Sequence, residues 1–172
     1  MKSKIIRSWN YLKTLLLHKH YVGIACWKLG FYWLAIIHDL SKFSSSEFKA
    51  YANKFGDNGK NDGRDKSGYY DPTTDTEFAR AWNHHIHCNK HHWQYWITPK
   101  DRINGEECLK MLDMPNKYIL EMLCDWHGAS RAYKGKGMMY FWENNKDKLR
   151  LSDNTRGKIE DILPNFITRL EK

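Results

Sequence analysis

The sequence contains no CxxC pair. Its four cysteines, Cys26, Cys88, Cys108 and Cys124, stand far apart, which argues against a zinc ribbon or a disulfide framework and fits a reducing cytoplasm. A long uninterrupted apolar run is also missing. Tyr21–Ile37 comes nearest, but Lys28 interrupts it and His38-Asp39 ends it, so a buried helical pair is expected there, with neither a membrane span nor a signal peptide. No stretch alternates convincingly as a strand, no internal repeat is visible, and helix-turn-helix, finger and RNP-like patterns are absent. Acidic residues are outnumbered, 20 Asp and Glu against 28 Lys and Arg, which leaves +8 on 172 residues. An anionic small-molecule substrate is therefore expected, a nucleotide first and nucleic acid as the less favoured partner.

What is present in excess is aromatic and histidine side chains. Aromatics make up 15% of the chain and include eight tryptophans, which implies a packed interior. The length suits one domain over residues 1–172. Apolar residues recur at helical spacing from Lys4 to Leu29, with Leu12, Leu15, Leu16, Val22, Ala25 and Leu29 on one stripe. After Gly30, Phe31–Lys42 reads as a second, almost wholly buried helix. Ser44 with Glu47, and Thr74 with Glu77, look like capping boxes opening helices at Ser45–Lys54 and at a histidine-rich helix reaching about His92. Residues 55–73 read as a flexible loop and Thr98–Glu106 as a connection. Pro115 should open a helix over Asn116–Tyr133. A short helix is expected at Met138–Lys148, and a last one, capped by Asp153, should be kinked or interrupted by Pro164. The fold class is all-α, with six or seven helices.

Five of the nine histidines fall in Trp82–Trp96, WNHHIHCNKHHWQYW. Imidazole is the commonest neutral nitrogen ligand for transition metals. His84 with His91, and His85 with His92, are seven apart and would share a helical face two turns on. A second focus is HDLSKF, where His38 and Asp39 can offer nitrogen and oxygen ligands. Asp125, inside the apolar pattern of a later helix, requires a partner if buried.

His18, Val22, Ala25 and Leu29 precede HDLSKF at the spacing H-x3-V-x2-A-x3-L. That arrangement resembles the HD-domain superfamily of metal-dependent phosphohydrolases, and with NHH and NxHHWxYW it is similar to a small bacterial and phage HD-like family. The closer likeness covers roughly His18 to Asp125. The resemblance implies an HD-like helical bundle holding two divalent transition metals, Mn, Fe, Co or Zn, on His18, His38, Asp39, His84, His85, His91, His92 and Asp125. It makes Asp39 and Lys42 the catalytic pair, with Lys42 neutralising phosphate or anchoring Asp39. His20 remains an alternative to His18, and either histidine of each pair can be the ligand. His87 and His127 are read as non-ligands, and Glu47 and Glu121 mainly as ordinary helix residues that could also orient histidines. Arg80, Lys90, Arg131, Lys134 and Lys136 are further phosphate-binding candidates. Trp82, Trp93, Tyr95 and Trp96 are read chiefly as core, with base stacking as the alternative.

The expected activity is hydrolysis of a nucleotide or nucleotide-like phosphoester, including cyclic nucleotide signals. The competing readings are a di-iron oxygenase with a similar ligand set and a non-catalytic nucleotide or nucleic-acid binder with structural metal.

Overall fold

A computed structural model describes residues 2–57, 64–69, 71–72, 75–103 and 106–171. Among them seven α-helices follow in order: α1 Lys2–Lys28, α2 Tyr32–Ile37, α3 Ser45–Phe55, α4 Thr76–Cys88, α5 Asn116–Ala132, α6 Met138–Asn145 and α7 Asp153–Glu171. The expected all-helical class holds, with one addition. Ile97–Ile103 (β1) and Glu106–Met111 (β2) pair antiparallel, in a register that sets Ile97 opposite Met111 and Pro99 opposite Leu109.

The axis of the structure is α1. It packs against α5, α2 and α3, and its buried stripe runs Tyr11, Leu15, His18, Val22 and Ala25 at steps of four, three, four and three. Leu16, expected on that stripe, lies outside it and is half exposed. The stripe touches two apolar cores. Tyr11 and Leu15 join Tyr51, Phe55, Phe78 and Ala81 of α3 and α4. Val22 and Ala25 join Ile119, Met122 and Leu123 of α5 and Trp142, Ile159 and Leu163 of α6 and α7. Full burial of each large apolar side chain contributes about 1.5–3 kcal/mol, so both cores hold α1 firmly. His18 sits between Leu15 and Val22, at the seam where one core ends and the other begins.

Close approach of α1 and α5 depends on Gly128, where an added Cβ would meet Val22 Cγ2 at 2.3 Å and the Val22 amide nitrogen at 2.9 Å. Because backbone, not only a side-chain tip, is in the way, Gly128→Ala is expected to destabilise the protein by about 1–3 kcal/mol. The check is a lowered midpoint in chemical denaturation.

Several local expectations are corrected. The second helix stops at Ile37 and is not buried on both sides, since Tyr32, Trp33 and Ile36 are each more than half exposed; six residues present only one face to α1. Ser44 is the N-cap of α3 by backbone position, but its hydroxyl bonds Ser46 Oγ and not a helix amide, so no capping box forms with Glu47. The histidine helix is capped by Asp75, whose carboxylate accepts from the Phe78 amide. It ends at Cys88, four residues earlier than expected. Asn89 stops it by donating from Nδ2 to the His85 carbonyl and to Ser41 Oγ, both at 2.8 Å. Pro164 neither ends nor interrupts α7, which continues through it. The predicted loop at 55–73 falls partly outside the described residues, as does Thr74. Within the loop, Arg64–Tyr69 is tied to α6 by Asn145, which donates to the Ser67 carbonyl and accepts from the Ser67 hydroxyl. No helix among the described residues is long and apolar enough to cross a membrane, and Cys26, Cys88 and Cys124 are free thiols.

Candidate metal centre

Five segments converge at the seam between the cores. His18 comes from α1, His38 and Asp39 from the turn after α2, His85 from α4, His91 and His92 from the turn after α4, and Glu121 and Asp125 from α5. The turn after α2 is anchored by Lys19, whose ammonium donates to the carbonyls of Ile36 at 2.6 Å and His38 at 2.8 Å. Asp39 then adopts the left-handed region, φ 56° and ψ 23°, which Asp and Asn tolerate better than other non-glycine residues. That conformation reverses the chain into a 3-10 turn over Leu40–Phe43 and leaves the Asp39 carboxylate fully buried among the histidines.

The two oxygens of Asp39 face different partners. Oδ1 lies 3.3 Å from His85 Nε2 and 3.5 Å from His91 Nε2. Oδ2 lies 3.4 Å from both His18 Nε2 and His38 Nε2 and accepts from Lys42 Nζ at 2.5 Å. Asp125 Oδ1 completes the second group, 3.1 Å from His18 Nε2 and 3.3 Å from His38 Nε2. His92 completes the first, its Nε2 2.8 Å from His85 Nε2. Two donor sets result, Asp39-His85-His91-His92 and His18-His38-Asp39-Asp125, with Asp39 common to both.

These atoms are not satisfied by one another. His18 Nε2, His38 Nε2, His91 Nε2 and Asp39 Oδ1 are buried and make no hydrogen bond among the described residues, although carboxylate oxygens or imidazole nitrogens lie close by. Buried polar atoms without partners are costly and rare. Separations of this size are what two ligands of one ion show, roughly 3.0–3.4 Å when each bond is about 2.1 Å. The donor types and their spacing therefore fit a pair of divalent cations.

The far sides of three of the five rings, His38, His85 and His91, face carboxylates. Glu121 Oε1 accepts from His38 Nδ1 and from His91 Nδ1, each at 3.3 Å. Fully buried Glu47 accepts from His85 Nδ1 at 2.9 Å through one oxygen and from His84 Nδ1 at 2.7 Å through the other. A carboxylate on Nδ1 sets the tautomer and turns the Nε2 lone pair toward a metal. Both glutamates thus hold histidines in place, a role weighed below an ordinary helix role from sequence. Glu121 and Asp125 lie one turn apart on α5, so the same helix supports the rings from behind and faces them from the front.

Electrostatics agrees with the geometry. Burial would raise the Asp39 carboxyl, but His38, Lys42 and His85 outweigh it and hold the group well below its usual range. Asp125 is likewise held well below by His18 and His38 against the effect of burial, and Glu121 is brought to about 2 by His38 and His91. Burial would lower His38, yet Asp39, Asp125 and Glu121 raise it to about 10. His91 and His92 are lowered, first by burial. Four carboxylates against Lys42 and a protonated His38 leave surplus negative charge, which favours dications.

Because a ligating imidazole must be neutral, metal loading at pH 7.5 is expected to release about one proton from His38 and none from His91 or His92, which are already neutral there. Affinity should rise with pH up to about 10. Metal titration in weakly buffered solution with a pH indicator checks this.

Of the other residues expected in the site, His84 does not join either donor set; its Nδ1 is occupied by Glu47 and its ring is nearly half exposed. His20 is exposed on α1 beside Tyr21, which leaves His18 as the inward histidine. His87 is exposed and bonded to the Asn83 carbonyl. His127 lies outside both sets. A cavity of about 140 Å³, walled by Trp82, Trp93 and Trp126, opens onto His92 of one set and Asp125 of the other. Arg80, Lys90 and Arg131 line neither this cavity nor the larger one beside it, whereas Lys134 and Lys136 line the larger. Lys90 instead lies over the Tyr95 ring, and Trp96 packs on Tyr118. Sequence reading gave no role to Lys19, Ser41 or Asn89: Lys19 belongs to no motif and acts through backbone carbonyls, while Ser41 of HDLSKF and Asn89 of NxHHWxYW meet the His85 ring.

Residues 7–165 match the model of a family of unknown function, DUF5662. The chain belongs to that family. The matched span includes every residue of both donor sets. No curated protein and no solved structure matches the chain.

Proposed function

We propose that this protein is a metal-dependent phosphohydrolase acting on a nucleotide or nucleotide-like phosphoester. The observation that carries the reading is Asp39, each of whose oxygens faces a separate histidine set, together with a cavity that touches a member of each set. Two cations held by these donors would supply an acidified water and charge neutralisation for phosphoryl oxygens. The chain's own residues supply the rest. Lys42 is paired to Asp39 Oδ2 and holds that oxygen ionised and in place. Glu47 and Glu121 keep the imidazoles from turning. Trp82, Trp93 and Trp126 offer flat apolar walls that exclude bulk water and suit a nucleobase or sugar. The resemblance of HDLSKF and NxHHWxYW to HD-type phosphohydrolases supports the same class.

The test is phosphate release and product chromatography over mononucleotides, cyclic nucleotides and cyclic dinucleotides, with Mn, Co, Mg, Fe or Zn added. Metal-dependent turnover supports the proposal. Bound iron with O2 uptake and no hydrolysis would replace it with an oxygenase, a reading that the five imidazoles of the two sets also suit. Tight ligand binding without turnover of any kind would make the protein a binder.

A further inference from the structure

Beside the cavity at the donors lies a larger one of about 350 Å³. The two share Gly68, Trp126 and Phe141 in their walls, so they adjoin at these residues. Resting on the phosphohydrolase reading above, we propose that the larger cavity binds a second anionic group. The preferred substrate is then a nucleotide-like phosphoester that carries another phosphate beyond the one at the metal centre.

The charge of the lining is the first reason. Arg64, Lys66, Lys134 and Lys136 contribute four cations, and Asp65 is the one carboxylate. Asp65 is already engaged, accepting from Ser67, from the Tyr69 amide and from Lys148 Nζ at 3.0 Å. Aromatic packing holds two of the cations. The Arg64 guanidinium lies 3.9 Å over the Tyr133 ring, and Lys136 lies 4.5 Å over Tyr140 with its ammonium 3.3 Å from the hydroxyl. Stacking of this kind holds a cationic head group in place at the cavity wall.

The backbone around Lys134 is the second reason. Lys134 has φ 55° at the C-terminal end of α5, a left-handed position where glycine is the favoured residue. The amides of Tyr133, Lys134 and Gly135 bond the carbonyls of Ala129, Arg131 and Ser130, and the Gly137 amide bonds Ser130 Oγ. None of these amides is left for a ligand. An anion in this cavity must be met by side chains, and a lysine occupies a position where helix termination alone would select glycine.

Adenosine 3′,5′-bisphosphate and adenosine 5′-monophosphate serve as probes. Stopped-flow quenching of tryptophan emission in the metal-loaded protein, read before turnover, gives both affinities, and phosphate release is followed in the same samples. The wild type should bind the bisphosphate about tenfold tighter or better, the worth of one charge-assisted contact. In Lys134→Gly that ratio should fall toward one while the thermal midpoint stays equal or rises, because glycine suits the helix end. Equal wild-type affinities, or a ratio that Lys134→Gly leaves unchanged and that therefore reflects overall basic charge, would overturn the proposal. Preference without hydrolysis of either probe or of any member of the phosphoester panel above sustains the pocket and removes the hydrolase reading. Release without preference does the reverse, and neither removes both.

Discussion

Asp39→Asn is expected to abolish binding of both metals and to lower phosphoester hydrolysis at least about 10³-fold. Asparagine is the informative replacement. It keeps the volume and tolerates φ 56°, whereas alanine would add a left-handed penalty of roughly 1–2 kcal/mol and confuse folding with function. The change removes the charge and converts one of two oxygens into an amide nitrogen that cannot ligate. Oδ1 faces His85 and His91, and Oδ2 faces His18 and His38, so whichever way the amide turns, one set loses its Asp39 oxygen and the other keeps only a neutral carbonyl in its place. Asp125, beside His18 and His38, is then the one carboxylate left in either set. Lys42, 14% exposed, can swing to water once its partner is neutral, so the variant should keep its near-ultraviolet circular dichroism. Metal analysis and phosphate release on the same sample check the expectation. Retention of both metals would remove Asp39 from its place between the sets.

Glu121→Gln should weaken metal binding about 10–100-fold without reaching a ligand. Its Oε1 accepts from His38 and His91, one from each donor set, so a single neutralised oxygen loosens both rings. The same change removes one of the carboxylates that keep His38 protonated, which lowers its pKa from about 10 and so lowers the pH above which metal affinity stops rising. A structural defect alone would not move that pH. Glu47→Gln makes the contrast, since Glu47 serves His84 and His85 and therefore only one set. Competition with a chromophoric chelator measures both variants, and equal affinities for wild type and Glu121→Gln would show that the glutamate does not position the rings.

The helices were legible because each buries an apolar face whose period is printed in the chain. Tyr11, Leu15, Val22 and Ala25 are one such face, and the same stripe placed His18 inward. The turns were less so. Nothing local in FYWLAIIHDLSKF marks the reversal at Asp39, which is held by Lys19 from another helix. The histidine tract looked like one helix because seven-residue spacing repeats over two turns; Asn89 breaks it by bonding its own helix end and Ser41. The break carries His91 and His92 back over His85 and leaves His84 behind, beside Glu47. The hairpin of β1 and β2 was hidden by Pro99 and by charged residues where alternation should be apolar. Glu47 and Glu121 were undervalued for a similar reason. A carboxylate that orients a ring is defined by a contact across the fold, 37 residues away for Glu47 with His84 and 83 for Glu121 with His38.

The central claim is that Asp39 joins two metal positions, and metal content tests it most directly. Protein purified without chelator would be analysed by inductively coupled plasma mass spectrometry beside Asp39→Asn. The account predicts about two transition-metal ions per chain in the wild type and none in the variant. A wild type devoid of metal after supplementation, or a variant with undiminished content, would contradict it.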